Sequence, residues 1–344
     1  MPLTRAGLIR VALLAAGLVL LAVLFARLGP ARILSLLSAL GTNFVAVVLV
    51  FTCHESVRAL AIGRFFPAGE RPAWRTLLRV RLVGDAVGAI TRTGLLGAEP
   101  VRAWLLAGTA GTGTQAYAAI ASELVANSST SATLTAVVAG WMLLTVELHG
   151  PILVLCHILC WSSLAFVSSA AGAIQGRIYL IGGALRAVGA LPIVGPHLRA
   201  DPVRVRATED AIIHSLTSRP STVVQVFALE CLAQAILVYE VLLTIRSMGG
   251  AVDAPDALFV EVLTKAANIV QLVGVTEAGY AVVFDWLGLT ATLGFTLSLV
   301  KVLRSLAAAG LGLSILSQVD RYWLVLASTL RASVRPDAGG GDLV

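Results

Sequence analysis

Residues 221–245 read STVVQVFALECLAQAILVYEVLLTI, an apolar stretch that contains only two charged residues. A helix needs about 20 mostly apolar residues to cross the hydrocarbon core of a bilayer, so this stretch predicts a membrane span. Five other stretches meet the same condition: 8–27, 35–62, 114–144, 151–173 and 291–317. The sequence therefore predicts an all-α polytopic membrane protein with about six full spans.

The composition of the whole chain agrees with a membrane environment. Of its 344 residues, 58% are hydrophobic and 13% are charged, and the mean hydropathy is +0.90. Soluble domains are nearer half apolar and a quarter charged, so a water-surrounded fold of this chain would have too few charges to cover its surface. We expect a single transmembrane domain over residues 1–320 and a cytoplasmic tail over 321–344 with a disordered end.

Two further apolar segments, 84–110 and 257–289, are interrupted by glycine, proline and acidic residues. The interruptions read GLLGAEPVR at 94–102 and QLVGVTEAG at 271–279. Irregular backbone at membrane depth occurs where it is buried or lines a wet cavity, so we interpret each segment as a re-entrant helical hairpin. One hairpin would enter from each side of the membrane, which is an inverted repeat. The alternative is a pair of short, poorly spanning helices with packing glycines in each place.

The arginines set the predicted orientation, because cytoplasmic loops carry an excess of basic residues. The arginines after the second span and in the long segment 174–220 are Arg64, Arg71, Arg75, Arg79, Arg81, Arg177, Arg186, Arg199, Arg204, Arg206 and Arg219. Both loops are therefore expected in the cytoplasm, with both termini on the cytoplasmic side of the inner membrane. Amphipathic pieces within 174–220 favour short helices at the interface.

Ionisable side chains inside the predicted spans are the candidate functional residues, because each costs about 2.5 to 3.5 kcal/mol at the bilayer centre. They are Glu99, Arg102, Glu123, Glu230, Glu240, Glu261, Lys265, Glu277, Lys301 and Arg304. His54, Glu55 and Arg58 lie near the predicted cytoplasmic end of the second span, where snorkelling to the interface would explain them.

The cations near the C-terminus require partners. Glu261, Lys265 and Asn268 share one helix face by their spacing, which fits either a self-neutralised Glu261–Lys265 pair or a polar stripe along a cavity. Lys301 and Arg304 lie close together in the last span and require anions. The candidate anions for Lys301 and Arg304 are the glutamates of the second broken segment or a lipid phosphate.

Glu99 and Glu277 each follow glycines at an interruption. Glycine permits turns and close backbone approach, and a half-helix that begins there points its N–H groups into the cavity. Each glutamate is therefore expected either to cap its half-helix or to take part in binding a proton or a headgroup.

Motifs for catalysis and cofactor binding are absent from the sequence. It contains no nucleotide-binding glycine loop, no nucleophile elbow and no HExxH metal motif. Cys156, His157 and Cys160 are better explained by core packing, because the histidine points away from the helix face of the two cysteines. We expect a protein that is not an enzyme, uses no cofactor or metal and binds no nucleic acid.

Several stretches carry a resemblance to a known family: TRTGLLGAEPVRAWLL at 91–106, FALECLAQAILVYEVLLTIRSMGG at 227–250, EVLTKAANIV at 261–270 and VGVTEAGYAVVFDWLGLTATLGFTLSLVKVLRSL at 273–306. The chain resembles the flippase-like membrane proteins related to the transmembrane region of lysylphosphatidylglycerol synthase, and most closely the branch associated with hopanoid biosynthesis. The resemblance covers most of residues 40–318. It departs from the family pattern where QLVG stands in place of a proline and a double glycine before the second glutamate.

The resemblance implies that a lipid moves between leaflets through a central cavity formed by the two hairpins. The residues on the family's motifs are Glu99, Arg102, Glu277, Lys301 and Arg304, with Glu240 and Glu261 as weaker matches. Lys265 joins these candidate substrate-binding residues from the polar face of its own helix. The soluble aminoacyl-transfer domain of the synthase has no counterpart in the sequence, so lysyl transfer is not expected of this chain.

Two hypotheses for the function remain open. The first is transbilayer movement of a membrane lipid with an anionic headgroup in the cytoplasmic membrane. The alternative is a non-transporting scaffold or partner of lipid or glycolipid biosynthetic enzymes, with segment 174–220 as its docking surface. In the scaffold hypothesis the buried charges hold helices together and bind no lipid headgroup.

Overall fold

The computed structural model describes residues 19–67, 69–91, 95–107, 113–179, 202–267 and 274–316, and the regular structure in these residues is helical. The helices are α1 (Val19–Arg27), α2 (Pro30–Leu40), α3 (Asn43–Arg64), α4 (Trp74–Thr91), α5 (Leu95–Ala107), α6 (Gly113–Thr145), α7 (Pro151–Gln175), α8 (Pro202–Thr217), α9 (Pro220–Ser247), α10 (Ala254–Ala267), α11 (Val275–Trp286) and α12 (Ala291–Leu316). The predicted tail 321–344 and Asn268 lie outside the described residues.

Four of the described helices are long and apolar enough to cross a membrane: α3, α7, α9 and the Ala291–Leu311 part of α12. A fifth span results if α1 and α2, which meet at 87°, are counted together. The chain is therefore a multi-pass α-helical membrane protein.

The structure divides one of the predicted spans and describes part of another. The stretch 35–62 is not one helix, because α2 ends before Gly41, which has a positive φ of 46°, and α3 begins at Asn43. Of the predicted first span 8–27, the structure describes the part from Val19, as α1. The predicted span 114–144 is the continuous helix α6, which carries the polar residues NSSTS at its centre.

Each of the two broken segments consists of two short helices that pack against each other. Helices α4 and α5 form the first pair, and α10 and α11 form the second. The connections 92–94 and 268–273 lie outside the described residues. Helix α11 begins after Gly274, whose φ of 82° is in the left-handed region that glycine adopts without strain. Paired short helices are common to both interpretations of 84–110 and 257–289, the re-entrant hairpin and the pair of short helices with packing glycines.

The long helices α3 and α9 pack against each other at the centre of the described bundle. Helix α4 packs against α12, and α6 contacts α5, α7 and α8. Two apolar clusters flank the central pair, one among α3 to α6 and one among α3, α9, α10, α11 and α12. The order of a long helix, two paired short helices and another long helix occurs twice, in α3 to α6 and in α9 to α12.

Close packing of α11 on α12 depends on Gly294. A Cβ atom at this position would lie 2.5 Å from the carbonyl oxygen of Tyr280 and 2.7 Å from Cγ of Phe284. We expect Gly294→Ala to lower the free energy of unfolding by about 1 to 3 kcal/mol, because the backbone carbonyl cannot move aside without shifting the helix. Gly310→Ala on the same helix is the control, since nothing lies within 4 Å of a Cβ there. Equal unfolding midpoints for the two variants in detergent would contradict this packing.

Candidate functional site

The ionisable residues of the described helices converge in the interior of the bundle. Apart from Glu209 of α8, the buried acidic, basic and histidine residues are His54, Glu55, Arg58, Arg81, Glu99, Arg102, Glu123, Glu230, Glu240, Glu261, Glu277 and Arg304. Asp85, Lys265 and Lys301 are half-buried beside them. Because charges in such surroundings are costly unless paired, their contacts decide what each one does.

One group of these residues, which we call the arginine cluster, joins four helices. It consists of His54, Glu55 and Arg58 on α3, Arg81 on α4, Glu123 on α6 and Glu230 on α9. The Nε atom of Arg81 donates to Glu55 at 2.7 Å, and its Nη1 atom donates to Glu123 at 3.0 Å. Arg58 donates to Glu123 through Nη2 at 2.7 Å and through Nε at 2.9 Å. Two guanidinium groups thus bind α3, α4 and α6 together.

His54 attaches this cluster to α9. Its Nδ1 atom lies 3.1 Å from the carbonyl oxygen of Ala233, and its Nε2 atom lies 3.3 Å from Glu55. An Nδ1–H that donates to a backbone carbonyl fixes the ring orientation. The histidine therefore holds the central helix pair α3 and α9 in register.

The structure corrects the snorkelling interpretation of His54, Glu55 and Arg58. All three side chains are buried in the bundle, with exposed fractions of 4%, 3% and 8%. Arg81, which the sequence placed in a cytoplasmic loop, is fully buried. The interpretation was wrong because α3 and α4 turn these residues inward, toward carboxylates that lie far away in the sequence.

A second group lies on the first pair of short helices. Arg102 of α5 forms ion pairs with Glu99, one turn earlier on the same helix, and with Asp85 of α4. The sequence placed Glu99 and Arg102 at the site, and the structure brings them together. Asp85 was missed, although its position inside an apolar segment is the same signal that selected the other candidates.

Two ion pairs connect the C-terminal half of the bundle. Lys301 donates to Glu261 at 2.8 Å, and its Nζ atom lies 5.4 Å from the ring centre of Tyr280. Arg304 forms an ion pair with Glu240 of α9. Both cations of α12 that the sequence expected to require anions therefore have carboxylate partners within the chain.

Glu277 has a capping role at the start of α11. Its carboxylate accepts a hydrogen bond of 2.7 Å from the backbone N–H of Gly274, so it closes the first turn of the helix. Of the two roles that the sequence left open for this residue, the geometry provides the cap.

Lys265 differs from the other cations of the site. Arg58, Arg81, Arg102, Lys301 and Arg304 each contact at least one carboxylate. The Nζ atom of Lys265 instead donates to the hydroxyl of Ser131 on α6 at 2.9 Å and to the amide oxygen of Gln234 on α9 at 3.1 Å. Among the described residues, no carboxylate lies within 4 Å of it. We call Lys265, Ser131 and Gln234 the lysine site.

The lysine site rules out the predicted local pair between Glu261 and Lys265. The two residues do share one face of α10, as their spacing predicts. The carboxylate of Glu261, however, binds Lys301 of α12, and Lys265 turns toward α6 and α9. The polar-stripe alternative therefore describes α10 better than the self-neutralised pair.

The side chain of Asn127 lies between the lysine site and the arginine cluster. The Nε2 atom of Gln234 donates to Oδ1 of Asn127 at 3.4 Å. The ends of the Asn127 amide lie 3.0 Å from Oε2 of Glu230 and 3.2 Å from Nη2 of Arg58. One orientation of this amide accepts from Gln234, and the other donates to Glu230 and accepts from Arg58, so Asn127 bonds to one side at a time.

These groups form ion pairs and hydrogen bonds in the interior of the bundle. No group of three His, Cys, Asp or Glu side chains in the described part of the chain has the geometry of a metal site. Comparisons with protein-family models, with curated proteins and with solved structures find no match for this chain.

Proposed function

We propose that this protein moves a lipid with an anionic headgroup across the cytoplasmic membrane, and that Lys265 binds the headgroup. The observation that carries the proposal is the set of neutral contacts around Lys265, a cation in the interior of a membrane-embedded bundle. Taking an ion out of water is costly unless a counter-charge contacts it, and half-buried Lys265 has no carboxylate in contact among the described residues. A phosphate bound at Nζ would remove that cost, so the site favours an anionic ligand over a neutral one.

The position of Lys265 supports a role in transport. It lies two residues before the end of α10, beside the interruption of the second broken segment. Lipid headgroups need a polar path through the hydrocarbon region, and broken helices at membrane depth provide one. Ser131, its partner on α6, belongs to the polar stretch NSSTS, whose Asn127 and Ser128 lie one turn earlier on the same helix face.

The remaining candidate residues take supporting roles in this proposal. Arg102 with Glu99, Lys301 with Glu261, and Arg304 with Glu240 would hold the helices that surround the headgroup. Glu277 would fix the start of α11. In this proposal Lys265 binds the headgroup. Arg102 and Arg304, which lie on the family's motifs, hold helices together.

The finer architecture is part of the same proposal. The two pairs of short helices would be re-entrant hairpins of an inverted repeat, with α3 and α9 as equivalent helices at its axis. The arginine-rich segments would face the cytoplasm, together with both termini. These features and the flippase-like resemblance agree with a lipid path between the two halves.

Native mass spectrometry tests headgroup binding directly. The purified protein in mild detergent is mixed with phosphatidylglycerol or, separately, with phosphatidylcholine. We expect the wild type and Lys265→Arg to retain phosphatidylglycerol selectively, and Lys265→Gln to lose that selectivity, because glutamine has no charge. Retention of both lipids alike by the wild type would remove the basis for the proposal and favour the scaffold hypothesis.

A further inference from the structure

The arginine cluster contains more carboxyl groups than cations. Glu55, Glu123 and Glu230 share the guanidinium groups of Arg58 and Arg81. Buried charges are tolerated when each has a partner at hydrogen-bonding distance. If all three glutamates were ionised, the two arginines would leave one negative charge uncompensated, so the balancing proton has to lie on a glutamate or on His54, whose Nε2 atom faces Glu55 at 3.3 Å.

The distances identify Glu230 as the glutamate without a charged hydrogen-bond partner. Glu55 accepts from Arg81 at 2.7 Å, and Glu123 accepts from both arginines at 2.7 to 3.0 Å. The nearest guanidinium atom to Glu230 is Nε of Arg58, at 3.6 Å, and this N–H already donates to Glu123. Two cations thus neutralise two carboxylates and leave the third.

The surroundings of Glu230 offer no other counter-charge in the described residues. Its side chain is fully buried, and its Oε1 atom is buried without a hydrogen-bond partner. The charged and titratable groups that face it are Arg58 of α3, Arg81 of α4, Glu123 of α6 and Cys231 of its own helix. Asn127 contacts Oε2, but an amide carries no net charge.

We infer that Glu230 is a proton-binding site, with its carboxyl group protonated and neutral at pH 7 while Glu55 and Glu123 remain ionised. A proton on Glu230 makes the charges of the three glutamates and two arginines sum to zero. Proton binding is the reversible protonation of one carboxylate, so the site binds and releases one proton.

The proton site is connected to the lysine site. Glu230 and Gln234 lie one turn apart on the same face of α9, and Asn127 contacts both. This step rests on the proposed function: a headgroup anion at Lys265 adds negative charge near Glu230 and strengthens proton binding there. By thermodynamic linkage the proton strengthens headgroup binding by the same factor. Anion binding and proton binding would therefore be coupled.

Infrared spectroscopy of the purified, lipid-free protein tests the protonation state at pH 7. A neutral carboxylic acid and a carboxylate absorb at different frequencies, and glutamine has neither band. We expect the difference spectrum of wild type minus Glu230→Gln to contain the acid carbonyl band. A difference that contains the carboxylate bands instead would show that Glu230 is ionised and would overturn the inference. Glu147→Gln, at an exposed residue, should remove carboxylate bands and serves as the control.

The stability of the variants provides a second test. Glutamine replaces a neutral carboxylic acid with little change in charge or shape, so Glu230→Gln should keep the unfolding midpoint of the wild type. Glu123→Gln should lower it, because Glu123 contacts both arginines. A Glu230→Gln protein that is as unstable as Glu123→Gln would contradict a neutral Glu230.

Transport in vesicles tests the coupling separately. If the wild type moves phosphatidylglycerol, raising the pH well above 7 on the side from which the lipid leaves should slow it, because Glu230 then loses its proton, and Glu230→Gln should lose this response. A response that persists in Glu230→Gln would overturn the coupling. If no lipid moves, the proposed function fails, but the infrared result still decides whether Glu230 binds a proton.

Discussion

Lys265→Gln will slow lipid movement by about 30- to 5,000-fold without loss of stability. Removing one member of a buried charge contact costs about 2 to 5 kcal/mol of binding, which is about a 30- to 5,000-fold change. The fold should persist, because the contacts of Lys265 are a hydroxyl and an amide, and a glutamine side chain also reaches polar groups. The measurement is the rate at which fluorescent phosphatidylglycerol changes leaflets in vesicles that contain the purified protein.

Lys301 provides the matched control, since Lys265 and Lys301 are the two lysines of the chain. Lys301→Gln leaves Glu261 as a buried carboxylate without its partner. This variant should lose about 3 to 5 kcal/mol of stability. The two substitutions are chemically identical, so they separate headgroup binding from helix packing. Equal transport rates for Lys265→Gln and the wild type would contradict the role of Lys265.

The same pair of variants distinguishes transport from a scaffold function. In a scaffold, both lysines would serve only to hold helices, and the better-paired Lys301 would matter more in every measurement. In a flippase, Lys265→Gln would fail in transport while it unfolds like the wild type. The scaffold hypothesis therefore predicts no lipid movement by the wild type or either variant, whereas the flippase hypothesis predicts movement that Lys265→Gln loses.

The helical class and the interrupted segments could be predicted from the sequence because they depend on local pattern. A run of about 20 apolar residues has few stable forms other than a buried or membrane helix. Glycine at a break, as at Gly274, marks a backbone conformation that other residues rarely adopt. The division of 35–62 at Gly41 shows the limit of this reasoning, since a single glycine inside an apolar run also occurs in continuous helices.

The partners of the buried charges could not be predicted, because they depend on which helices meet. The spacing of Glu261 and Lys265 allowed a local pair, yet Glu261 binds Lys301, 40 positions later. Arg81 lies in an arginine-rich stretch that suggested a loop. It is buried because Glu55 and Glu123 approach it from two other helices. Tertiary packing therefore decided both cases, and nothing in the local pattern carries that information.

Loss of Arg81 should strongly destabilise the protein. Its fully buried guanidinium donates to Glu55 of α3 and Glu123 of α6 at 2.7 and 3.0 Å. Arg81→Met keeps most of the apolar stem but leaves Arg58 as the one remaining guanidinium of the arginine cluster. We expect a loss of about 3 to 5 kcal/mol in the free energy of unfolding, measured by thermal unfolding in detergent.

The control and the pH dependence make this expectation specific. Arg75→Met lies on the same helix at an exposed position, so it should change stability by less than about 0.5 kcal/mol. In Arg81→Met, the carboxylates that lost their partner bind protons more readily in the folded protein than in the unfolded chain. Stability linked to such proton uptake increases as pH falls, so the deficit of Arg81→Met relative to the wild type should shrink in mild acid. A deficit that is the same at all pH values would mean that Arg81 contributes by packing, and that Glu55 and Glu123 do not depend on its charge.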